Sequence, residues 1–221
     1  MKRKILTLLA TMALLTVAAQ AQVTFGVRAG VNFQNINGKD AEGDKLKNDL
    51  IVGFNAGANV EIPIADEFYL QPGLLFSTKG AKATGDIINL TATTHISYIE
   101  LPINLLYKPL LGSGHLLLGF GPYVAYGIMG KYIMEISDES EEWDVDFKNK
   151  VTADDPDNVV YIRPLDAGAN LLAGYELAFG LSFQLNAQLG LLEIKPTHEG
   201  ADEDDSTSKN TGFGFSAGYR F

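Results

Sequence analysis

The chain has 221 residues, no cysteine and a formal net charge of −10. The missing cysteines exclude a disulfide framework, a thiolate metal site and a cysteine nucleophile. The acidity excludes a nucleic-acid surface.

At the start, Lys2, Arg3 and Lys4 precede an apolar run from Ile5 to Ala19, and Ala19-Gln20-Ala21 closes it with small residues. This is the layout of a secretory signal peptide over residues 1–21, cut before Gln22. The apolar run is too short for a spanning helix, which needs ~20 residues. Losing the three cations takes the formal charge to −13, and residues 22–221 are expected to form one domain.

From Val23 to Phe33 the odd positions read Val, Phe, Val, Ala, Val, Phe, against Thr24, Gly26, Arg28, Gly30 and Asn32. Strict alternation of this kind marks a strand, because successive side chains point to opposite faces. The pattern returns at 50–62, 68–79, 94–108, 115–130, 160–177, 181–193 and 210–221. Each run exceeds the ~9–11 residues that cross an outer membrane when tilted. The connections at 63–67, 109–114 and 178–180 are short, whereas 34–49, 80–92, 131–159 and 194–209 are long and hydrophilic. An even strand count with short turns at one end and long loops at the other predicts an all-β, eight-stranded antiparallel up-and-down transmembrane β-barrel.

A water-soluble barrel would carry charge on its outer face. Here one face is almost uncharged, as in Val52, Phe54, Ala56, Ala58, Val60 and Ile62, while the other is mostly Gly, Asn, Gln and Ser. Uncharged strips suit lipid, and small amides suit a narrow lumen that side chains fill. Aromatics gather toward strand ends: Phe25, Phe68, Tyr107, Tyr175, Phe183, Tyr219 and Phe221 at one rim, Phe33, Phe54, Phe76, Tyr126 and Phe213 at the other. Such girdles anchor barrels at membrane interfaces. Pro72, Pro102, Pro122 and Pro164 lie inside the runs and each removes a ladder donor, so bulges or breaks are expected there.

The segments "YIELPINLLYK" (98–108), "GFGPYVAYGIMGK" (119–131) and "PLDAGANLLAGYEL" (164–177), with the aromatic C-terminus, resemble the PorT-like family of small outer-membrane β-barrel proteins. The resemblance spans the mature chain and implies a barrel like OmpX and the OmpA membrane domain, in a Gram-negative cell envelope. It also implies that Phe213, Phe215, Tyr219 and Phe221 form the signal read by the barrel-assembly machinery during insertion. The last strand must in any case close against the first, leaving no edge in lipid.

Lumen positions carry Arg28, Glu61, Glu100, Asp166, Glu176 and Arg220. Buried charges persist when paired, and Arg28, Glu100 and Asp166 at similar mid-strand height are expected to form a structural cluster. His95 and Ser97 share one face of their run and resemble the His-x-Ser pair of lipid A deacylases, but the match is two residues without that family's flanking sequence, and the sequence identifies no carboxylate to orient the histidine. The acidic stretches 135–147, 154–157 and 202–205 lack EF-hand spacing and read as solvated loops. The expected protein is a non-enzymatic monomer with no cofactor, in contact with outer-membrane lipid and lipopolysaccharide. Its termini are expected in the periplasm and its long loops outside, in a structural, adhesive or envelope-accessory role. A narrow channel and a lipid-modifying enzyme are the alternatives.

Overall fold

A computed structural model describes residues 23–85, 90–136, 139–200 and 206–221. The signal-peptide segment and the acidic run at 202–205 lie outside the described residues. Eight long strands form: β1 (Thr24–Lys39), β2 (Ile51–Ala65), β3 (Phe68–Gly85), β4 (Leu90–Tyr107), β5 (Gly114–Ile136), β6 (Leu165–Glu176), β7 (Leu181–Gly190) and β8 (Thr207–Arg220). Each pairs antiparallel with the next. β1 also pairs with β8 from Gly26↔Arg220 to Lys39↔Thr207, which closes the ring. Closure is what an all-strand wall in lipid requires, since an open edge would leave a row of unpaired amides there.

The period-two pattern sorts the side chains as the alternation predicts. Phe25, Val52, Phe54, Leu74, Leu101, Phe120, Leu171, Leu185 and Phe215 are exposed on the outside. Asn32, Asn55, Asn59, Gln71, Ser77, Asn104, Gln184 and Ser216 are buried inside. Aromatic pairs stand at both ends of the exposed band: Phe33 with Phe213 (5.3 Å) and Phe54 with Phe76 (5.5 Å) at one, Phe68 with Tyr107 (4.9 Å) and Tyr219 with Phe221 (5.2 Å) at the other.

The prolines act locally. Pairing of β2 with β3 stops after Asn59↔Gly73 and resumes at Ile62↔Leu70 in the same register, and Pro72 lies in the gap. Pairing of β4 with β5 likewise skips from Pro102↔Tyr123 to Leu105↔Phe120 around Pro122. These are missing rungs, not bulges. The true register shifts lie elsewhere, between Pro63 and Ala65 and at Ser97–Tyr98, where Ile128 is the extra residue on β5. Pro164 is not inside a strand. The expected run 160–177 breaks into Val160–Ile162 and β6, and the Pro164 carbonyl accepts the Gly127 N–H at the break.

The long-loop end is more ordered than its hydrophilic sequence suggests. β3, β4 and β5 continue past the aromatic pairs, and Glu139–Phe147 adds to β5 as a further antiparallel strand. Val160–Ile162 lies parallel to Val145–Phe147, and Thr197–His198 parallel to Lys150–Val151. The acidic stretch expected to be a solvated loop is therefore largely sheet, and the second long loop shrinks because β3 and β4 run through most of 80–92. The Lys148 ammonium, hydrogen-bonded to Asp155, holds that carboxyl below its ordinary range and ties down the return of this loop.

Small residues in the lumen let the wall curve tightly. A Cβ on Gly168 would meet the Leu189 carbonyl oxygen at 2.0 Å and the Tyr123 ring at 2.8 Å. Gly168→Ala is accordingly expected to cost about 1–3 kcal/mol, the usual penalty of overpacking. Urea unfolding of the refolded protein reads this, and unchanged stability would mean that β6 and β7 can part far enough to admit a methyl group.

Candidate functional site

The lumen holds two clusters of charge, one above the other. The first is built around Lys79, from the inward phase of β3, whose side chain is fully buried. Its ammonium hydrogen-bonds Asp166 Oδ2 at 3.0 Å and lies 3.0 Å from Glu100 Oε2. Tyr123 donates its hydroxyl to Asp166 at 3.2 Å, and Asn210 Nδ2 donates to Asp166 Oδ2 at 3.0 Å and to the Tyr98 hydroxyl at 3.2 Å. Gln188 Nε2 donates to the other Glu100 oxygen at 2.9 Å. The cation also sits 4.2 Å from the centre of the Tyr123 ring, within range of its negative face. Strands β3, β4, β5, β6, β7 and β8 all contribute, so the cluster ties opposite walls together.

The second cluster lies toward the short turns. Lys108 Nζ meets Glu61 Oε2 at 2.9 Å and Glu176 Oε1 at 2.8 Å. Arg220, from the end of β8, hydrogen-bonds the remaining Glu61 oxygen, and Gln71 Nε2 donates to that oxygen at 3.2 Å. Both carboxylates thus find cations where water is scarce, which buried charge requires.

Arg28 lies between the clusters. It makes no ion pair among the described residues, although it shares a cavity with Glu100. It lines a cavity of about 40 Å³ with Asn32, Asn55, Ser77 and Glu100, and a second of about 10 Å³ with Asn59, Glu176 and Arg220. A buried water needs roughly 10–15 Å³ measured this way, so these spaces hold a few waters at most. The expected grouping of Arg28, Glu100 and Asp166 therefore takes a different form. Glu100 and Asp166 do come together, but the cation between them is Lys79. The alternation carried that signal, because Lys79 shares its phase with Gln71 and Ser77, as Lys108 does with Glu100 and Asn104.

Above the first cluster the lumen closes with an apolar cap. Val145, Ile162 and Ile194, all from the loops, pack with Ile96, Tyr98, Tyr123 and Ala125 of the wall. Below, the Lys108–Glu61–Arg220 group spans the bore. His95 lies outside, exposed, opposite Lys131 on β5, and no hydrogen bond joins it to Ser97. Phe213, Phe215 and Tyr219 of β8 and Phe221 just beyond it also face outward, with Phe221 73% exposed and its N–H bonded to the Phe25 carbonyl. Among the described residues, no group of three or more His, Asp or Glu side chains converges as a metal site.

A closed ring of eight antiparallel strands, lipid-compatible outside and polar inside, agrees with comparison to known families. The model for the outer membrane protein beta-barrel domain matches residues 7–221. The chain belongs to that family. Like other outer-membrane barrels it is placed in the outer membrane. Solved structures similar to this family member include Ail, the attachment invasion locus protein of Yersinia pestis (12% identity, 90% of this chain and 98% of that one, TM-score 0.37). Neisserial surface protein A is another (9%, 89% and 97%, TM-score 0.40), as is a major outer membrane protein from Thermus thermophilus (14%, 90% and 99%, TM-score 0.45). No curated protein matches the chain.

Proposed function

We propose that the protein is a non-conducting barrel that anchors an acidic sheet at the cell surface, in an adhesive or envelope-accessory role. The observation that carries this reading is the filled lumen: among the described residues, two charge clusters and an apolar cap occupy the bore. What remains for function is the protruding end. There β3, β4, β5 and Glu139–Phe147 form a platform whose last strand carries Glu139, Glu141, Glu142, Asp144 and Asp146. Among the described residues, Lys131 is the one cation paired with this row, through Glu142. The resemblance to the PorT-like family favours an accessory to secretion within this role, with the long loops outside and the termini in the periplasm.

Two measurements test it. In planar bilayers the refolded protein is expected to show no steady single-channel conductance, and reproducible ion-selective openings would replace this reading with that of a narrow channel. A peptide tag inserted after Asp154 should be accessible to antibody on intact cells. Accessibility only after the outer membrane is breached would invert the orientation and end the surface role.

A further inference from the structure

The outward wall at the long-loop end has two adjoining furrows where β6, β7 and β8 meet. The upper one, about 460 Å³, is lined by Arg163, Leu165, Leu191, Leu192 and Lys209 among others. The lower one, about 480 Å³, is lined by Leu171, Leu189, Thr211 and Phe213 among others. The leucines are exposed: Leu165 by 44%, Leu191 by 59% and Leu192 by 39%. Along β8 the outward phase climbs from Phe213 through Thr211 to Lys209, passing from the aromatic pair into a polar rim. The wall therefore changes from apolar to cationic within four residues.

The two cations stand apart from the ion pairs found elsewhere in the protein. The Arg163 backbone N–H bonds the Ile194 carbonyl, which fixes its place beside the furrow, but its Nε is buried without a partner. Neither Arg163 nor Lys209 makes an ion pair among the described residues. Glu193, also at the upper furrow, is engaged by backbone: it accepts the N–H of Lys195 at 2.9 Å and of Ser208 at 2.7 Å, which braces the turn between β7 and β8.

A guanidinium and an ammonium above exposed leucines match an amphiphile with anionic groups at the head of its acyl chains. Two cations on the upper furrow, with a second, largely apolar furrow beside it, fit a headgroup with more than one phosphate and several chains better than a phospholipid with one phosphate. We infer that this wall binds a phosphorylated glycolipid of the lipid A type, with its phosphates on Arg163 and Lys209 and its chains along Leu165, Leu191, Leu171 and Leu189. The inference rests on the proposed orientation, because such a lipid occupies the outer leaflet. The binding assay in detergent does not depend on orientation, so its failure and the failure of the tag experiment are separate results.

The test is native mass spectrometry of the refolded mature protein in detergent, titrated with lipid A, with the same lipid stripped of phosphate, and with phosphatidylglycerol. Lipid A is expected to bind best. Arg163→Gln and Lys209→Gln should each weaken it about tenfold, or about 1.4 kcal/mol. Arg163→Lys should keep most of the binding, and added salt should weaken it, as for exposed charges. Both glutamine variants lose no internal ion pair, and the heat-dependent gel shift of folded barrels confirms their assembly. Equal binding of the dephosphorylated lipid, equal binding of phosphatidylglycerol, or indifference to both glutamine variants would each overturn the proposal.

Discussion

Replacing Lys79 by methionine is expected to destabilise the barrel by about 3–5 kcal/mol, the range for breaking a buried ion pair from one side. Methionine fills much of the same volume, so the loss is electrostatic. Glu100 and Asp166 would then face each other without the ammonium that lies 3.0 Å from each. The Tyr123 hydroxyl, Asn210 and Gln188 would still donate to them, but neutral donors do not balance two charges. Adding Glu100→Gln and Asp166→Asn to Lys79→Met should restore much of the stability, because a neutral network leaves no stranded charge. Arg28→Gln, by contrast, removes a cation that makes no ion pair and borders a water-sized cavity, so a loss of about 1 kcal/mol is expected. Urea unfolding in detergent measures all three. A loss below about 1 kcal/mol for Lys79→Met would mean that water reaches the carboxylates.

The second large effect is expected at Glu61. Its two oxygens serve Lys108 and Arg220, so Glu61→Ala leaves Arg220 without an ionic partner and Lys108 with Glu176 alone. A loss of about 3–5 kcal/mol follows by the same argument. The cycle with Arg220→Ala should show a coupling of roughly 0.5–3 kcal/mol, so that the double variant costs less than the sum. Independent losses would show that the two side chains do not act as a pair.

Much of this fold was legible because lipid and lumen impose opposite demands on alternate residues. In β1, β2, β7 and β8 the alternation from Phe25 to Phe33, Val52 to Ile62, Leu181 to Leu189 and Phe213 to Phe221 translates directly into outside and inside. The signal degrades where backbone irregularities intervene. The extra residue Ile128 puts Ile128 and Met129 both outside and switches the inward phase of β5, so that Tyr132 and Met134 follow Tyr123 and Ala125 on the inner side. No residue type announces such a shift. The central cations were missed for a different reason. Lys79 and Lys108 end their alternating runs, where a lysine reads as the edge of a loop, yet β3 continues to Gly85. The ordering of Glu139–Phe147 was also hidden, because its acidic residues look like solvated chain while Trp143 packs on Tyr132 at 5.8 Å and Val145 joins the cap.

The seam between β1 and β8 has a kinetic consequence. Arg220 and Glu61 are separated by 159 residues, and the Lys39–Thr207 bond at the other end of the seam by 168. Contacts this remote in sequence must absorb loop-closure entropy before they return any energy, and chains dominated by them cross their barriers slowly. The hairpins with short turns can form early, whereas the ring shuts only when both ends of the chain have arrived. The same barrier acts on the way out: opening the seam breaks fourteen residue pairings and the Arg220–Glu61 contact before any hairpin is released. Once shut, the cylinder is expected to persist through slow unfolding as much as through equilibrium stability.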